Sequence, residues 1–542
     1  MVPNPCARTK ECDVLTSRRK MMSVLLVGTL ALAACGGGDN GSDDNGSGTG
    51  SSTGGATGAS GEINPDGTFR YVFVQNPSTM DPHRSGNAWD MIFFWLAYDQ
   101  LIWKNEAGEL EPMLATEWEF VDDGTALEMS LRDDVTFIDG EPFNAEAVKA
   151  NLERAIELPE SAIKGSLARI ESVEAVEEFK VRINLNGPGG NLPSVLSERA
   201  GSMISPAAFD NPDLDQNPVG SGMAKPTEYV PGQVSRWERN EDYWDPEAAK
   251  AKTYEVYVQT ASPTRVNMLS TGQGELTYLM PQDQEAAEAA GLNVAPSLST
   301  TEFRWTFNSG REPFDDPLVR HAVELAVDRQ AIIDGVFFGA GHPIAQHLPP
   351  DHWAYNPDVT IDNPDYGYDP ERAKELLAEA GYADGVEFDM LIPALDDHRA
   401  IAEAVVPMLA EVGLTANTQV VESPTTPVTF FARQEGDAYI GASAPLLDPT
   451  NQYEQNLEGQ FRNPWNNTSE EFQDAWNRSL EGTTNEERLP GIHDMIEEEK
   501  QLRREVPVML FTPPSAWTDN VVLPEGYTPA YTPHFRGVGV TD

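Results

Sequence analysis

The spacing of apolar residues along the chain predicts both strands and helices. The run EFRWTFN at 302–308 alternates between aromatic and polar residues, so a strand here would bury three aromatic rings on one face. Its other face would carry Glu302, Arg304 and Thr306. This pattern predicts that the polar face either lines a binding cleft or lies in water.

A capped helix is predicted shortly after this strand. Asp316 can accept hydrogen bonds from the free N–H groups of the next turn, and Pro317 stands where a missing N–H costs nothing. Four apolar residues then recur at helical spacing and should be buried: Val319, Ala322, Val323 and Ala326.

Similar patterns along the rest of the chain indicate an α/β protein. Alternating or continuous apolar runs predict further strands at 69–75, 127–132, 386–394 and 506–511. Apolar spacing and capping residues predict further helices at 90–102, 144–155, 370–380 and 401–412.

The first 35 residues have the pattern of a lipoprotein signal peptide. Three basic residues at 18–20 precede an apolar run at 21–34, which is shorter than the roughly 20 residues that span a bilayer. Small residues then precede Cys35, which we expect to be the lipidated first residue of the mature chain. The alternative is an ordinary secretory signal with an incidental cysteine. Translation could start at Met1, Met21 or Met22.

The mature chain should be stabilised by its hydrophobic core alone. Cys6 and Cys12 precede the predicted cleavage site, so no disulfide is expected. Residues 35–65 are rich in Gly, Ser, Thr, Asp and Asn and are predicted to form a disordered tether after a signal peptide at 1–34. The remaining chain, roughly 475 residues, exceeds what one core usually supports and predicts two or more lobes.

Acidic residues greatly outnumber basic ones. The chain has 87 Asp and Glu against 37 Lys and Arg, and its formal net charge is −50. Repulsion from phosphate therefore excludes nucleic acid as a partner. The excess is best explained by a solvated surface that keeps an extracellular protein soluble.

Several motifs occur together in a specific order. LRDDVTFIDGEPFNAEAV spans 131–148, and NSGREPFDDPLVRHAVELAVDR spans 308–329. Between them, the segment 218–244 begins PVGSGM and ends YW. Over about 69–531 the chain resembles the extracellular solute-binding proteins of ABC importers, in the peptide, nickel and opine class known as family 5. It departs from the family's usual turn at Ser221 and Met223.

This resemblance implies an architecture and a set of partners. The implied fold is α/β, the large type II periplasmic-binding-protein-like fold with two lobes, mixed sheets and a hinge of crossing strands. Residues 66–302 with 508–542 would form the first lobe, and residues 303–507 the second. The protein would be a monomer, lipid-anchored through Cys35 and facing the exterior or periplasm. It would bind a small peptide-like or other polar organic solute and deliver it to permease and ATPase subunits.

The resemblance also implies two groups of solute-binding residues. In the family, the loop after Asp-Pro contributes to the ligand cleft, which here points to Ser85, Asn87 and Trp89. The alternative is an ordinary polar loop with Trp89 as a core anchor. The strand at 302–308 contributes contacts in peptide-binding relatives, so Arg304 and Thr306 are candidates. We expect Arg304 to pair with an anionic group of the solute.

A third group lies in the segment 437–453, where family members most often carry specificity. Peptide binders hold the peptide's amino group with an aspartate that precedes an Asp/Glu-Pro pair. If Asp448-Pro449 is that pair, Pro445 replaces the aspartate, which argues against a peptide with a free amine. If the loop is shortened, Asp448 itself would bind the amine. The candidates from this segment are Ala442, Ser443, Pro445 and Asp448.

Two other classes of function compete with this interpretation. An extracellular hydrolase is disfavoured because the eight histidines are scattered, there is no His-Glu-x-x-His, and no Gly-x-Ser-x-Gly follows a predicted strand. We therefore expect no enzymatic activity, no cofactor and no metal site. A solute-sensing or chaperone-like lipoprotein that is not coupled to import stays open as an alternative.

Overall fold

The structure is a computed structural model that describes residues 61–542 except 106–107, 298–300, 423–424, 444–447, 526, 528 and 531. The predicted signal peptide, Cys35 and most of the predicted tether lie outside the described residues. Within the described part, no helix is both long enough and apolar enough to cross a membrane.

Strands and helices both occur along the whole described chain. The strands are β1 (Thr68–Phe73), β2 (Ile102–Lys104), β3 (Leu110–Pro112), β4 (Ala115–Val121), β5 (Ala126–Leu131), β6 (Ile170–Glu177), β7 (Lys180–Leu185), β8 (Ala224–Val230), β9 (Val234–Arg239), β10 (Thr253–Val258), β11 (Leu276–Tyr278), β12 (Asn293–Pro296), β13 (Thr301–Phe307), β14 (Gly341–Pro343), β15 (Val386–Pro393), β16 (Leu414–Val421), β17 (Ala438–Ser443), β18 (Glu505–Phe511), β19 (Pro514–Trp517), β20 (Val521–Val522) and β21 (Gly539–Val540). The α-helices are α1 (Met91–Ala97), α2 (Ala145–Glu157), α3 (Leu192–Val195), α4 (Ser262–Ser270), α5 (Gln284–Ala289), α6 (Pro317–Ala326), α7 (Arg329–Val336), α8 (Pro370–Glu379), α9 (Asp396–Glu411), α10 (Pro449–Glu454), α11 (Glu470–Glu481) and α12 (Asn485–Leu502).

Three larger sheets organise these elements. A seven-stranded sheet has the order β12-β19-β11-β1-β10-β9-β8, with β1 parallel to both β10 and β11. A four-stranded antiparallel sheet has the order β4-β5-β7-β6. A six-stranded sheet has the order β14-β18-β13-β17-β15-β16 and mixes parallel and antiparallel pairs. We refer to the part built on the seven- and four-stranded sheets as the first lobe, and to the part built on the six-stranded sheet as the second lobe.

Each large sheet has its own hydrophobic core. The seven-stranded sheet packs aromatic residues of β1 against α1, and the four-stranded sheet packs against α2. The six-stranded sheet packs the aromatic face of β13 against the helices α6, α7, α8 and α9. Separate cores of this kind are expected for a chain of this length, since one core rarely serves more than about 250–300 residues.

The chain passes between the two lobes where β12 leads to β13 and where β18 leads to β19. β12 and β19 belong to the seven-stranded sheet, whereas β13 and β18 are neighbours in the six-stranded sheet. Connections through neighbouring extended segments suit a hinge, because a few backbone dihedrals there can absorb a relative rotation of the lobes. The lobe boundaries at 302/303 and 507/508 stay predictions.

The predicted starts of α6 and α2 are confirmed, whereas α9 begins at Asp396, five residues before the predicted start at 401. The Asp316 side chain accepts a hydrogen bond from the Leu318 N–H at 2.8 Å, and α6 begins at Pro317. The four apolar residues of its predicted stripe are all buried: Val319, Ala322, Val323 and Ala326. Asn144 caps α2 in the same way, through a hydrogen bond from Ala147 N–H. Local spacing and capping chemistry were sufficient for these elements.

The helix predicted at 90–102 is shorter than expected, and that prediction was wrong at its end. α1 stops at Ala97, and Tyr98 adopts an extended conformation. Asp99 then turns inward, where its carboxylate accepts hydrogen bonds at 2.5–3.1 Å from the side chains of three distant residues: Ser221, Tyr243 and Trp244. Continuing the helix would have removed Asp99 from these donors, and apolar periodicity gives no sign of them.

Candidate functional site

The polar face of β13 is one side of a strand in the six-stranded sheet, and other segments of the chain cover it. The strand was predicted at 302–308 and is observed at Thr301–Phe307. Its three aromatic residues pack into the helix layer, and the opposite face is also buried, with Glu302, Arg304 and Thr306 only 3%, 4% and 2% exposed. The polar face is therefore not in water, contrary to one of the two expectations.

Arg304 is held by two carboxylates from different strands. Its guanidinium donates to Glu302 of the same strand, and its Nε lies 3.2 Å from Glu505 Oε1 of β18. Thr306 contributes a long hydrogen bond, 3.4 Å, to the same oxygen of Glu505. His347 places Nδ1 2.8 Å from Glu302 Oε2. We call Glu302, Arg304, His347 and Glu505 the paired cluster.

The charges of the paired cluster stabilise one another. Burial acts to raise the pKa of Glu302, but His347 and Arg304 outweigh it and leave that pKa below its usual value. Burial likewise opposes ionisation of Glu505, and Arg304 and Arg462 bring its pKa below normal. The desolvation of Arg304 is outweighed by Glu505 and Glu302, so its pKa is raised. Glu302, Arg304 and Glu505 thus form an ionised network within the second lobe.

Two atoms of the paired cluster have no hydrogen-bond partner among the described residues. They are Glu505 Oε2 and His347 Nε2, both buried. The two atoms are 3.8 Å apart, too far for a direct hydrogen bond. They leave one acceptor site on the carboxylate and one site on the imidazole ring for a further polar group.

Arg462 and Tyr439 lie beside the paired cluster and are half-buried. Burial lowers the pKa of Arg462 to about 10, and the charge of Arg304 adds to that effect. Burial also raises the pKa of Tyr439, against the opposing charges of Arg304 and Arg462. Gly441, two residues beyond Tyr439, has no side chain, and the Tyr439 ring lies over it. The ring and the guanidinium thus form a partly open wall next to a buried ionic network.

In the first lobe, the loop that follows β1 holds three of the predicted residues together. The Ser85 hydroxyl is buried and donates to Asp90 Oδ2 at 2.7 Å. Asn87 is half-buried and accepts a hydrogen bond from Trp89 N–H at 3.1 Å. Trp89 packs edge-on against Phe73 at the end of β1, with ring centroids 5.8 Å apart. This loop follows the carboxyl end of a strand in a locally parallel part of the sheet, where ligands of α/β proteins commonly bind.

A group of charged residues adjoins this loop. Arg199 donates from Nη1 to the Ser85 carbonyl at 2.5 Å. Glu198 and Lys104 are half-buried neighbours. Burial raises the pKa of Glu198, and burial lowers the pKa of Lys104 to about 8 while Glu198 opposes that shift. Poorly hydrated charges on half-exposed side chains are expected on the wall of a concave surface.

The two lobes touch at one edge, through a contact made by Gly190, Asn191, Asn451 and Leu480. Gly190 N–H donates to the Leu480 carbonyl at 3.0 Å, and Asn191 Nδ2 donates to Asn451 Oδ1 at 2.8 Å. We call this the edge contact. Nearby, the Arg169 guanidinium lies 5.1 Å from the centre of the Trp476 ring. These contacts join first-lobe residues that precede α3 to second-lobe residues of α10 and α11.

The fit at the edge contact requires a residue without a side chain. A Cβ on Gly190 would lie 2.0 Å from the Gly482 carbonyl oxygen and 3.0 Å from the Leu480 carbonyl oxygen. No side chain tolerates such a distance without backbone movement. The first-lobe segment then continues through α3 to Glu198 and Arg199, so the edge contact is a few residues from the charged group beside Lys104.

The candidates from the segment 437–453 differ in their exposure and in their contacts. Ala442 is exposed at the end of β17. The backbone of Ser443 pairs with Glu302, and its side chain, like all of Pro445, lies outside the described residues. Asp448 is buried and accepts hydrogen bonds from Arg488 at 2.7 and 2.8 Å, while it also caps α10 through Thr450.

The structure thus forms two groups of the predicted residues, one on each lobe, and adds others that the sequence pattern missed. The added residues are Lys104, Glu198, His347, Arg462 and Glu505. Only Glu505 had a local signal, as a charge directly before the apolar strand at 506–511. Among the described residues, no group of three or more His, Cys, Asp or Glu is placed to hold a metal ion.

Comparisons with known proteins identify what this chain resembles. Residues 109–463 match the model of the family described as "Bacterial extracellular solute-binding proteins, family 5 Middle". A curated relative, the glutathione-binding protein GsiB of Salmonella typhi, is 29% identical over 368 residues, which cover 64% of this chain and 68% of the relative.

Solved structures share the same fold. DppA of Helicobacter pylori in complex with the peptide STSA has a TM-score of 0.76 at 22% identity, over 88% of this chain and 98% of that chain. NikZ of Campylobacter jejuni in complex with Ni(L-His) has a TM-score of 0.74 at 19% identity, over 87% of this chain and 98% of that chain. At such identities the likeness shows the fold, and it confirms the predicted two-lobed α/β fold class.

Proposed function

Because this chain belongs to family 5 of the bacterial extracellular solute-binding proteins, we propose that it captures a small peptide-like or other polar organic solute between its two lobes. The closed protein then delivers that solute to the permease of an ABC importer, whose ATPase subunits drive transport. We further propose that Cys35 carries a lipid that holds the protein at the outer face of the membrane.

The observation that carries the proposal is the position of the ionic network on the strands that connect the lobes. Glu302 and Arg304 lie on β13 and Glu505 on β18, the two strands through which the chain passes from one lobe to the other. A solute that contacts the half-buried residues beside this network, Tyr439 and Arg462, as well as the first-lobe loop would be held by both lobes at once. Its contacts would exist in full only in the closed protein, so binding would favour closure.

We assign the first-lobe side of the site to the loop that holds Ser85, Asn87 and Trp89. The Trp89 ring offers an apolar surface, and Asn87 offers an amide at the same edge. On the second lobe, Ala442 and Ser443 end the strand that neighbours β13, and we assign them to the same site together with Pro445. Their backbone groups would suit an extended, peptide-like solute.

For three predicted residues, the contacts within the protein favour a positioning role. Arg304 and Thr306 are bonded to Glu302 and Glu505 and are nearly inaccessible. Asp448 is bonded to Arg488. A direct contact of Arg304 with an anionic solute group stays a prediction, and Arg304→Ala with unchanged affinity for an identified solute would contradict it.

A thermal-shift screen tests the proposed function. Purified protein is mixed with peptides, opine-like amino acids, oligosaccharides and metal chelates, each at about 100 times a micromolar Kd. A ligand that binds only the folded state adds about 2.7 kcal/mol at that concentration, which raises Tm by a few degrees. We expect at least one class to raise Tm. If no class does so, and a strain that lacks the protein imports all of them normally, the proposal is wrong.

A further inference from the structure

Among the described residues, most basic side chains have a partner within the protein. The chain has 37 Lys and Arg against 87 Asp and Glu, so many carboxylates are available to pair with a cation at a partly buried position. Typical cases are Arg154 with Asp81, Arg488 with Asp448 and Lys500 with Glu324. Others, such as Arg265 and Arg320, donate to backbone carbonyls.

Two cations depart from this rule within the described part of the chain. The side chains of Lys104 and Arg462 are half-buried, and neither side chain makes a hydrogen bond, an ion pair or a ring contact with a described residue. The other basic residues in that situation are exposed to solvent: Lys164, Lys252 and Arg433. Lys104 lies on the first lobe and Arg462 on the second.

An unpaired cation at a partly desolvated position destabilises the free protein. Burial is the main cause of the lowered pKa of both groups, about 8 for Lys104 and about 10 for Arg462. A neutral side chain of similar length would avoid that cost. Residues that cost stability in the free protein are a recognised mark of sites shaped for a ligand.

Each cation lies beside the surface that its lobe contributes to the proposed solute site. Lys104 ends β2 next to Glu198. Arg199, which follows Glu198 in the chain, donates a hydrogen bond to the Ser85 carbonyl of the loop. Arg462 lies beside Arg304, Glu505 and Tyr439. Since Glu302 and Glu505 already neutralise Arg304, the positive charge of Arg462 is left for another partner.

The edge contact joins segments of the two lobes that lead along the chain to the surroundings of each cation. On the first lobe, the segment from Gly190 leads through α3 to Glu198 beside Lys104. On the second lobe, Asn451 lies in α10, which follows the strand of Tyr439 and precedes Arg462. One cation on each wall of a closing cleft would repel the other unless an anion lay between them.

We propose that the solute carries two anionic groups, one paired with Lys104 and the other with Arg462. This inference rests on the proposed function and specifies the solute class: a compact di-acid, such as a short peptide with an acidic side chain as well as its terminal carboxylate. The two cations then make closure depend on the solute. In the empty protein their repulsion favours separation of the lobes, and in the complex two charge-assisted pairs hold the lobes together.

Three dipeptides that differ only in their number of carboxylates test this proposal by calorimetry. Ala-Glu has two carboxylates, Ala-Gln has one and Ala-Gln-amide has none, while the amine is the same in all three. We expect affinity to fall by about 10- to 100-fold for each carboxylate removed, the range of a hydrogen bond between charged groups. Glutathione, which also has two carboxylates, serves as a second di-acid probe.

Four variants assign the carboxylates to the two cations. Lys104→Met and Arg462→Met should each reduce the affinity for Ala-Glu by about 10- to 100-fold and leave that for Ala-Gln-amide unchanged. Lys252→Met and Arg433→Met remove cations that are equally unpaired but exposed, and they should change nothing. Equal affinity of the three dipeptides for the wild type would overturn the proposal. It would also be overturned if Lys104→Met and Arg462→Met both bound Ala-Glu with the affinity of the wild type.

A measurement without solute separates binding from a structural role. If the two cations have no partner until a solute binds, Lys104→Met and Arg462→Met should raise Tm in the absence of any ligand. A fall in Tm for both variants would show that the cations stabilise the fold and would overturn the inference. If solutes bind without regard to charge, the inference fails while the proposed function stands. If solutes of every class and charge fail to bind, the proposed function itself is contradicted.

Discussion

Arg304 and Arg462 lie next to each other in the second lobe and differ in their partners. Arg304 is buried between Glu302 and Glu505. Arg462 is half-buried and meets no carboxylate within bonding distance among the described residues. The contrast shows that a charged side chain in a binding protein can either stabilise the fold or bind the solute. The partners of the charge, and not its position in the cleft alone, indicate which role it has.

The largest effect should come from breaking the paired cluster. Arg304→Met leaves Glu302 and Glu505 buried with only His347 and Arg462 nearby. Removing one partner of a buried ionic network typically costs about 3–5 kcal/mol. We expect urea unfolding to show a loss of that size, and Arg433→Met, at an exposed position, to stay within about 0.5 kcal/mol of the wild type. A loss below about 1 kcal/mol for Arg304→Met would contradict the role assigned to the cluster.

A smaller effect is expected from loosening the edge contact. The Cβ of Gly190→Ala would collide with the Gly482 carbonyl, so the lobes could meet only after a backbone shift that costs about 1–3 kcal/mol. The closed state should become rarer and solute affinity should fall about 10-fold or more. Small-angle scattering of the free protein, with calorimetry on the solute found in the screen, measures both changes.

Gly165→Ala is the matched control for this prediction. Gly165 also lies on the first lobe, and a Cβ there has no atom within 4 Å. Its affinity and scattering curve should equal those of the wild type. Identical behaviour of the two alanine variants would show that the edge contact plays no part in closure.

The pH dependence of stability probes Lys104 directly. Because its pKa is about 8 in the folded protein, below the usual 10.5, the unfolded chain binds more protons between those values. Stability should therefore rise with pH through that window, by about 1 kcal/mol once partial exposure is taken into account. Below pH 8 the full cost of the buried charge is present.

The comparison with Lys104→Met isolates this contribution from all other titrating groups. At pH 7.5 the variant should be more stable than the wild type, and the difference should shrink as pH rises to 10.5. Unfolding free energies at three pH values between these limits measure it. A difference that grows with pH would contradict the burial of an unpaired Lys104 amine.

Thr306→Val should have the smallest effect. Its hydroxyl makes only a 3.4 Å hydrogen bond to Glu505 Oε1, an oxygen that Arg304 also approaches. Valine has a similar shape, so we expect a loss of about 0.5 kcal/mol in urea unfolding and no change in solute affinity. A tenfold loss of affinity would instead place the Thr306 hydroxyl in direct contact with the solute.

The sequence was informative wherever the determining interactions are local. The cap at Asp316, the apolar stripe of α6 and the alternation in β13 depend on residues within a few positions of one another, and all three are present as predicted. The resemblance to the family added the order of the lobes, because its motifs extend over most of the chain.

The candidate site was only partly predictable, for a physical reason. Arg304 is neutralised by Glu505, which is remote in the chain and comes beside it only because β13 pairs with β18. Asp448 is occupied by Arg488 of α12 in the same way. Lys104 follows an apolar run and Arg462 lies in a polar stretch, and neither local context reveals that the side chain has no partner. Pairing of charges is a property of the tertiary structure.

The thermal unfolding of Arg462→Met, measured with and without Ala-Glu, tests the distinction between paired and unpaired charges most directly. We expect a Tm at or above that of the wild type without the dipeptide, together with loss of the increase in Tm that Ala-Glu gives the wild type. A lower Tm without the dipeptide, with the full increase retained in its presence, would contradict it.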